Sequence, residues 1–124
     1  MQNAQRAVDG RREREVVTKA TLRAGQILGL SNARMANVLG VSEASVSRMN
    51  HATAVLDGKP FEIGLMIVRL YRGLAGILGS DDSAVQSWMR SENRALHGRP
   101  VDLIETINGL VTTVAYVDSR RAHI

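Results

Sequence analysis

The sequence predicts an all-α fold, on three observations. Apolar residues recur every third or fourth position through most of the chain, the period that places them on one helix face. Glycines and side chains with cap oxygens punctuate those runs where helices need to start and stop. No segment shows sustained two-residue alternation between hairpin turns, and neither an internal repeat nor a low-complexity tract is present. With 124 residues, 44% of them hydrophobic, the chain has the size of one domain and enough apolar material for a core.

Residues 1–15 are polar and charged, and are expected as a flexible, extended basic arm. From Val16 a helical pattern begins, with Val17, Ala20, Ala24, Ile27 and Leu28 sharing a face, and Gly29 ends it before the cap candidates Ser31 and Asn32. Two short helices follow in "ARMANVLGVSEASVSRMN" (33–50), jointed at Gly40, with Ser42 placed to cap the second. The loop "HATAVLDGKP" (51–60) leads into the most apolar helix, expected from Phe61 or Glu62 to Gly79 as the centre of the fold. Arg69 and Arg72 near its middle argue for a core helix rather than a membrane span. "SDDS" (80–83) supplies cap oxygens for a helix whose apolar face is Val85, Trp88 and Met89. After the loop 91–100, Pro100 opens a helix in which Leu103, Ile104, Ile107, Leu110, Val111 and Val114 hold helical spacing, although the β-rich "VTTVAYV" (111–117) leaves a strand open there.

The glycine-jointed pair has the layout of a helix-turn-helix, in which small residues such as Ala36, Gly40 and Val46 let two helices cross closely. Residues 16–60 form that region, and 61–124 the central helix and a C-terminal unit. With Val46 and Met49 inward, the outer face of the second short helix offers Ser42, Glu43, Ala44, Ser47, Arg48 and His51 as DNA-binding candidates. Arg48 suits a guanine edge, the serines suit phosphates or bases, and Glu43 suits a cytosine amine. Residues 1–50 hold eight Lys/Arg against four Asp/Glu, whereas 51–124 hold eight of each, so the whole net charge of +4 lies in the half with this pair. One outward arginine is a sparing reader, which favours a homodimer on two operator half-sites.

No catalytic residues, metal site or cofactor are expected. His51, His97 and His123 lack metal-ligand spacing, no glycine loop is built to cradle phosphate, and no Ser-His-acid set assembles. The absence of cysteine excludes disulfides, thiolate metal sites and a cysteine nucleophile, and the Met-Gln-Asn-Ala start has no apolar signal region, so a cytoplasmic protein without membrane attachment is expected.

The segment 88–117 resembles the toxin-binding domain of the Xre/MbcA/ParS antitoxins. Trp88 precedes the pattern Asn-x-x-Leu-x-Gly-x-Pro, filled by Asn93, Leu96, Gly98 and Pro100, and Leu103, Gly109 and Val114 continue it. Together with an Xre-like helix-turn-helix the resemblance covers roughly residues 20–117. It implies a type II antitoxin that neutralises a RES-domain toxin acting on NAD and represses its own operon. On that resemblance, the loop residues Asn93, Arg94, His97 and Arg99 and the C-terminal Tyr116, Ser119, Arg120, Arg121, His123 and Ile124 are the toxin-binding candidates, with Arg120 or Arg121 entering or rimming the toxin's NAD pocket. The family often has Thr-Pro-Glu-Gly where this chain has "TINGL" (106–110), so a turn through Asn108 and Gly109 with different cap chemistry is expected. A stand-alone repressor that senses a small molecule is the alternative.

Overall fold

The computed structural model describes residues 2–122, with side chains from Asn3 onward. Its helices are α1 (Gln2–Ile27), α2 (Asn32–Leu39), α3 (Glu43–Asn50), α4 (Gly58–Leu78), α5 (Asp82–Arg90), α6 (Pro100–Leu103) and α7 (Ile107–Ala122). Among the described residues there is no strand, only a bridge between Asn93 and Gly98, and no helix is long and apolar enough to cross a membrane.

α4 is the axis of the fold and packs against α1, α2, α5 and α7. Its Ile67, Leu70 and Leu74 are fully buried, a gain of about 1.5–3 kcal/mol for each such side chain. Two of its glycines bring the neighbours close. A Cβ at Gly64 would lie 2.7 Å from Thr21 Oγ1 of α1, and one at Gly73 would lie 2.6 Å from Val117 Cγ1 of α7. The helix starts at Gly58, three residues before Phe61, because Asp57 caps it by accepting from the Gly58 N–H at 2.9 Å.

The stretch 1–15 departs from expectation: from Gln2 it is helix, continuous with the packed part of α1. It has no apolar face, but its alanines, arginines and glutamates favour helix, and the pairs Gln5–Asp9 and Arg11–Glu15 stand one turn apart. Extending a helix already nucleated costs little. The inward face of α1 is also rotated from the one expected. Thr18, Thr21, Ala24 and Leu28 are buried, while Val17, Ala20 and Ile27 are only partly so. Thr18 is accommodated because its hydroxyl donates to the Arg14 carbonyl at 2.6 Å and accepts from the Leu56 N–H at 2.8 Å.

At the α2–α3 joint, Ser31 caps α2, Gly40 ends it with φ 72°, and Ser42 caps α3 by accepting from the Ser45 N–H at 3.0 Å. The helix expected from Pro100 onward is two helices. α6 ends at Leu103, and Thr106 caps α7 by accepting from the Gly109 N–H at 3.0 Å. Asn108 and Gly109 are therefore in the first turn of α7, not in a turn between helices. Gly109 is required there, since a Cβ would run into the Leu103 carbonyl. Residues 111–117 are helical throughout. Thr113, Val114 and Val117 face inward, with Val117 against Gly73 of α4, so burial decides over local β preference. Ile107, expected in the core, is instead 59% exposed, and Val111 one turn on is 48% exposed.

Candidate functional site

The chain presents two surfaces. On α3, Val46 and Met49 are buried, and this turns Ser42, Glu43, Ala44, Ser47, Arg48 and His51 outward, all six exposed. Three polar side chains form a row. Ser42 Oγ donates to Ser45 Oγ at 3.0 Å, and Arg48 Nη2 donates to the same Ser45 oxygen at 2.9 Å. Ser45 was not among the sequence candidates, yet it orients Arg48; its i+3 spacing from Ser42 and to Arg48 is the signal that marks it. His51 Nδ1 lies 2.8 Å from the Ser47 carbonyl, which only accepts, so Nδ1 donates. Glu43 in the first turn and Arg48 in the last match the helix dipole. A polar, mostly uncharged helix face with one held guanidinium suits the edge of a base pair in a groove.

The second surface is the corner formed by the 93–99 loop, α6 and the start of α7. Asn93 and Gly98 exchange backbone hydrogen bonds at 2.9 and 3.3 Å, and Asn93 Oδ1 accepts from the Leu96 N–H at 3.1 Å. This closes a tight loop whose exposed tip carries Arg94 and His97, the latter held at φ 61°. Histidine is among the non-glycine residues that adopt this left-handed angle most readily. Arg99 is committed differently: its Nε donates to Asp102 Oδ2 at 2.8 Å. Asp102 also accepts from Arg34 Nη1 of α2 at 2.9 Å, and the bonds from Arg99 and then Arg34 hold its carboxyl below the usual carboxylate range.

Arg34 is a second residue that sequence reasoning missed. It donates further to the Val101 carbonyl at 3.1 Å and to Glu105 Oε2 at 3.3 Å, while Asn37 donates to Glu105 Oε1 at 2.9 Å. Thus α2 of the helix-turn-helix grips the α6–α7 corner. No local pattern reveals a partner some seventy residues away. Ile107 and Val111, one turn apart on α7, add exposed apolar area beside the corner.

The remaining C-terminal candidates do not join this corner. Tyr116 is half-buried against the core, and its carbonyl accepts from the Ser119 hydroxyl at 2.9 Å. Asp118 pairs with Arg69 of α4 at 2.6 Å, and the Arg121 side chain runs past Gly76. Arg120 is exposed, about 16 Å along α7 from Gly109 at about 1.5 Å per residue. His123 and Ile124 lie outside the described residues.

Comparison with known families agrees with this division. A model of the antitoxin Xre-like helix-turn-helix domain matches residues 7–69, and one of the antitoxin Xre/MbcA/ParS C-terminal toxin-binding domain matches residues 74–122. The first match ends and the second begins within α4, the helix that both halves share. No curated protein matches the chain. With the first match alone spanning more than half of its length and the second following directly, the chain belongs to the Xre-type antitoxins, a helix-turn-helix domain joined to a toxin-binding domain.

Proposed function

We propose that this antitoxin, acting as a cytoplasmic homodimer, represses its own operon through α3 and silences a RES-domain toxin that acts on NAD. The observation that carries the DNA half is the Ser42–Ser45–Arg48 row: it pre-orients a single guanidinium on an exposed helix face and so lowers the entropy cost of base contact. The toxin half rests on the resemblance and on the chemistry of the corner. A loop tip with Arg94 and His97 beside the apolar Ile107 and Val111 offers the mixture of cation and hydrophobe that protein interfaces use. Arg120 is the cation best placed at the far end of α7 to rim a pocket for a dinucleotide phosphate, since arginine stays charged and pairs with phosphate at two points.

Two experiments test the reading. In a gel-shift titration at fixed salt with DNA from upstream of the gene, Arg48→Ala should weaken binding by about 1–3 kcal/mol and relax specificity. Unchanged affinity removes Arg48 as the reader. For the toxin, the product of the adjacent reading frame is co-expressed and its NAD consumption is measured with the wild-type antitoxin and with Arg120→Ala. Loss of inhibition with binding retained supports the pocket role, and equal inhibition leaves steric cover by the folded domain. An adjacent product that neither binds the antitoxin nor consumes NAD overturns the RES assignment.

A further inference from the structure

Among the described residues the earliest buried one in α1 is Thr18, and Val8 and Val16 are 57% and 62% exposed. Thr18 ties the loop after α3 to α1 through its hydrogen bond from Leu56. Between them lies an open cleft of about 370 Å³, with Arg11, Glu15 and Lys19 on the α1 side and Met49, Ala52 and Val55 on the other. Arg11 and Lys19 therefore stand beside the end of α3 that carries Arg48 and His51. Helical spacing gathers three cations on one face of this segment, while Arg6 and Arg14 lie with the acids on the other side. Arg11, Arg12 and Lys19 fall within about 60° of Glu15 around the helix, while Asp9 and Glu13 fall more than about 100° away. Glu15, the acid on the cation side, is partly neutralised by Arg11 at 3.2 Å.

An eight-residue helix is about 12 Å long, close to the width of a major groove, so groups just past its end meet the phosphate strand that walls the groove. Resting on the DNA-binding reading of α3, we infer that this face of α1 is a second contact with DNA, a sequence-neutral clamp in which Arg11, Arg12 and Lys19 bind backbone phosphates. The concentration of the whole net charge in residues 1–50 supplies the complementarity. Phosphate contacts of this kind position a protein on the duplex without reading sequence.

The test compares full-length protein with the Arg11→Gln/Lys19→Gln double variant by fluorescence anisotropy over a salt series. Two duplexes of equal length are used, one from the region upstream of the gene and one of mixed sequence. On both, the dependence of log affinity on log salt should become shallower by about two for the double variant, because two fewer counterions are released. Arg48→Ala, in contrast, should weaken binding to the upstream duplex only. Glu15→Gln should tighten binding to both, and Arg11→Lys/Lys19→Arg should keep the wild-type slope. If the wild type binds and the double variant keeps its slope, the clamp falls while the reading of α3 stands. If the wild type binds neither duplex, both fall. A change in sedimenting mass with the slope intact assigns the face to a second copy of the chain and overturns the clamp. All four substituted positions are exposed or lie outside the core, so helical content by circular dichroism should match the wild type; were it to drop in the double variant, the sign of the Glu15→Gln effect still decides.

Discussion

The α2–α3 joint and the α6–α7 corner each connect two helices through three residues, and each depends on one glycine, yet the glycines serve opposite needs. Gly40 is chosen for its backbone angle: φ is 72°, and a Cβ there would have nothing within 4 Å. Gly109 is chosen for space, in an ordinary helical turn pressed against the Leu103 carbonyl. The joint closes with bonds among near neighbours, Ser31 to Arg34, Gly40 to Ala36 and Ser42 to Ser45. The corner depends in addition on Arg34 and Asn37 from the other half of the chain. The joint of the helix-turn-helix can thus be built from local caps alone, whereas the α6–α7 corner has its geometry set by the domain it follows.

The sharpest break in this comparison comes from placing a methyl group at each glycine. Gly109→Ala drives a side-chain atom into backbone, which cannot swing aside as a flexible side chain can, and should destabilise the protein by upwards of about 2 kcal/mol in urea unfolding. Its DNA affinity, measured on the fraction that remains folded, should change little while toxin capture is lost. Gly40→Ala meets no atoms and pays only for the left-handed angle, about 1–2 kcal/mol, with the loss falling first on DNA binding.

Arg34→Ala tests whether the two regions are joined as the hydrogen bonds imply. Arg34 is about a third exposed, so screening reduces the effect to about 1 kcal/mol of stability. Amide exchange at the α6–α7 corner should quicken more than at α3, and equal protection in variant and wild type would mean that the grip is ornamental. The smallest effect is the pH dependence of Asp102. Its folded pKa lies below the ordinary 3.8, owing first to the hydrogen bond from Arg99 and then to that from Arg34. A carboxyl lowered in the folded state stabilises above its unfolded pKa and loses that contribution as pH falls through the folded value. The stability difference between wild type and Asp102→Asn should therefore be level from neutral pH down to near 3.8 and shrink below it, as followed by urea unfolding at stepped pH.

Legibility follows the same division. Ser42 as a cap, Gly40 as a joint and the outward set from Ser42 to His51 were readable because a cap and a 3.6-residue period are properties of neighbouring residues. The helical form of residues 2–15 was not, since an arm without an apolar face is helical only by continuing a helix that is packed elsewhere. The rotation of α1 that buries Thr18 and Thr21 was hidden too, because hydrophobicity favoured Val17 and nothing local announced the Leu56 N–H that satisfies Thr18. Ile107 reads as core by spacing, yet the break at Thr106 restarts the helix and leaves it facing outward.

By itself, then, the sequence determined the all-α class, the caps of the two short helices, the central place of α4 and the family motif from Trp88 to Val114, all of which rest on patterns within a few turns of chain. Only the tertiary structure decided which face of α1 is buried, where the helix after Pro100 breaks, that Gly64 and Gly73 let α1 and α7 close on α4, and that Arg34 leaves the DNA side to hold Asp102 and Glu105. The physical reason is range: hydrogen bonds and periodicity along a helix are written in adjacent residues, while close packing and ion pairing select partners that the chain brings together only once it has folded.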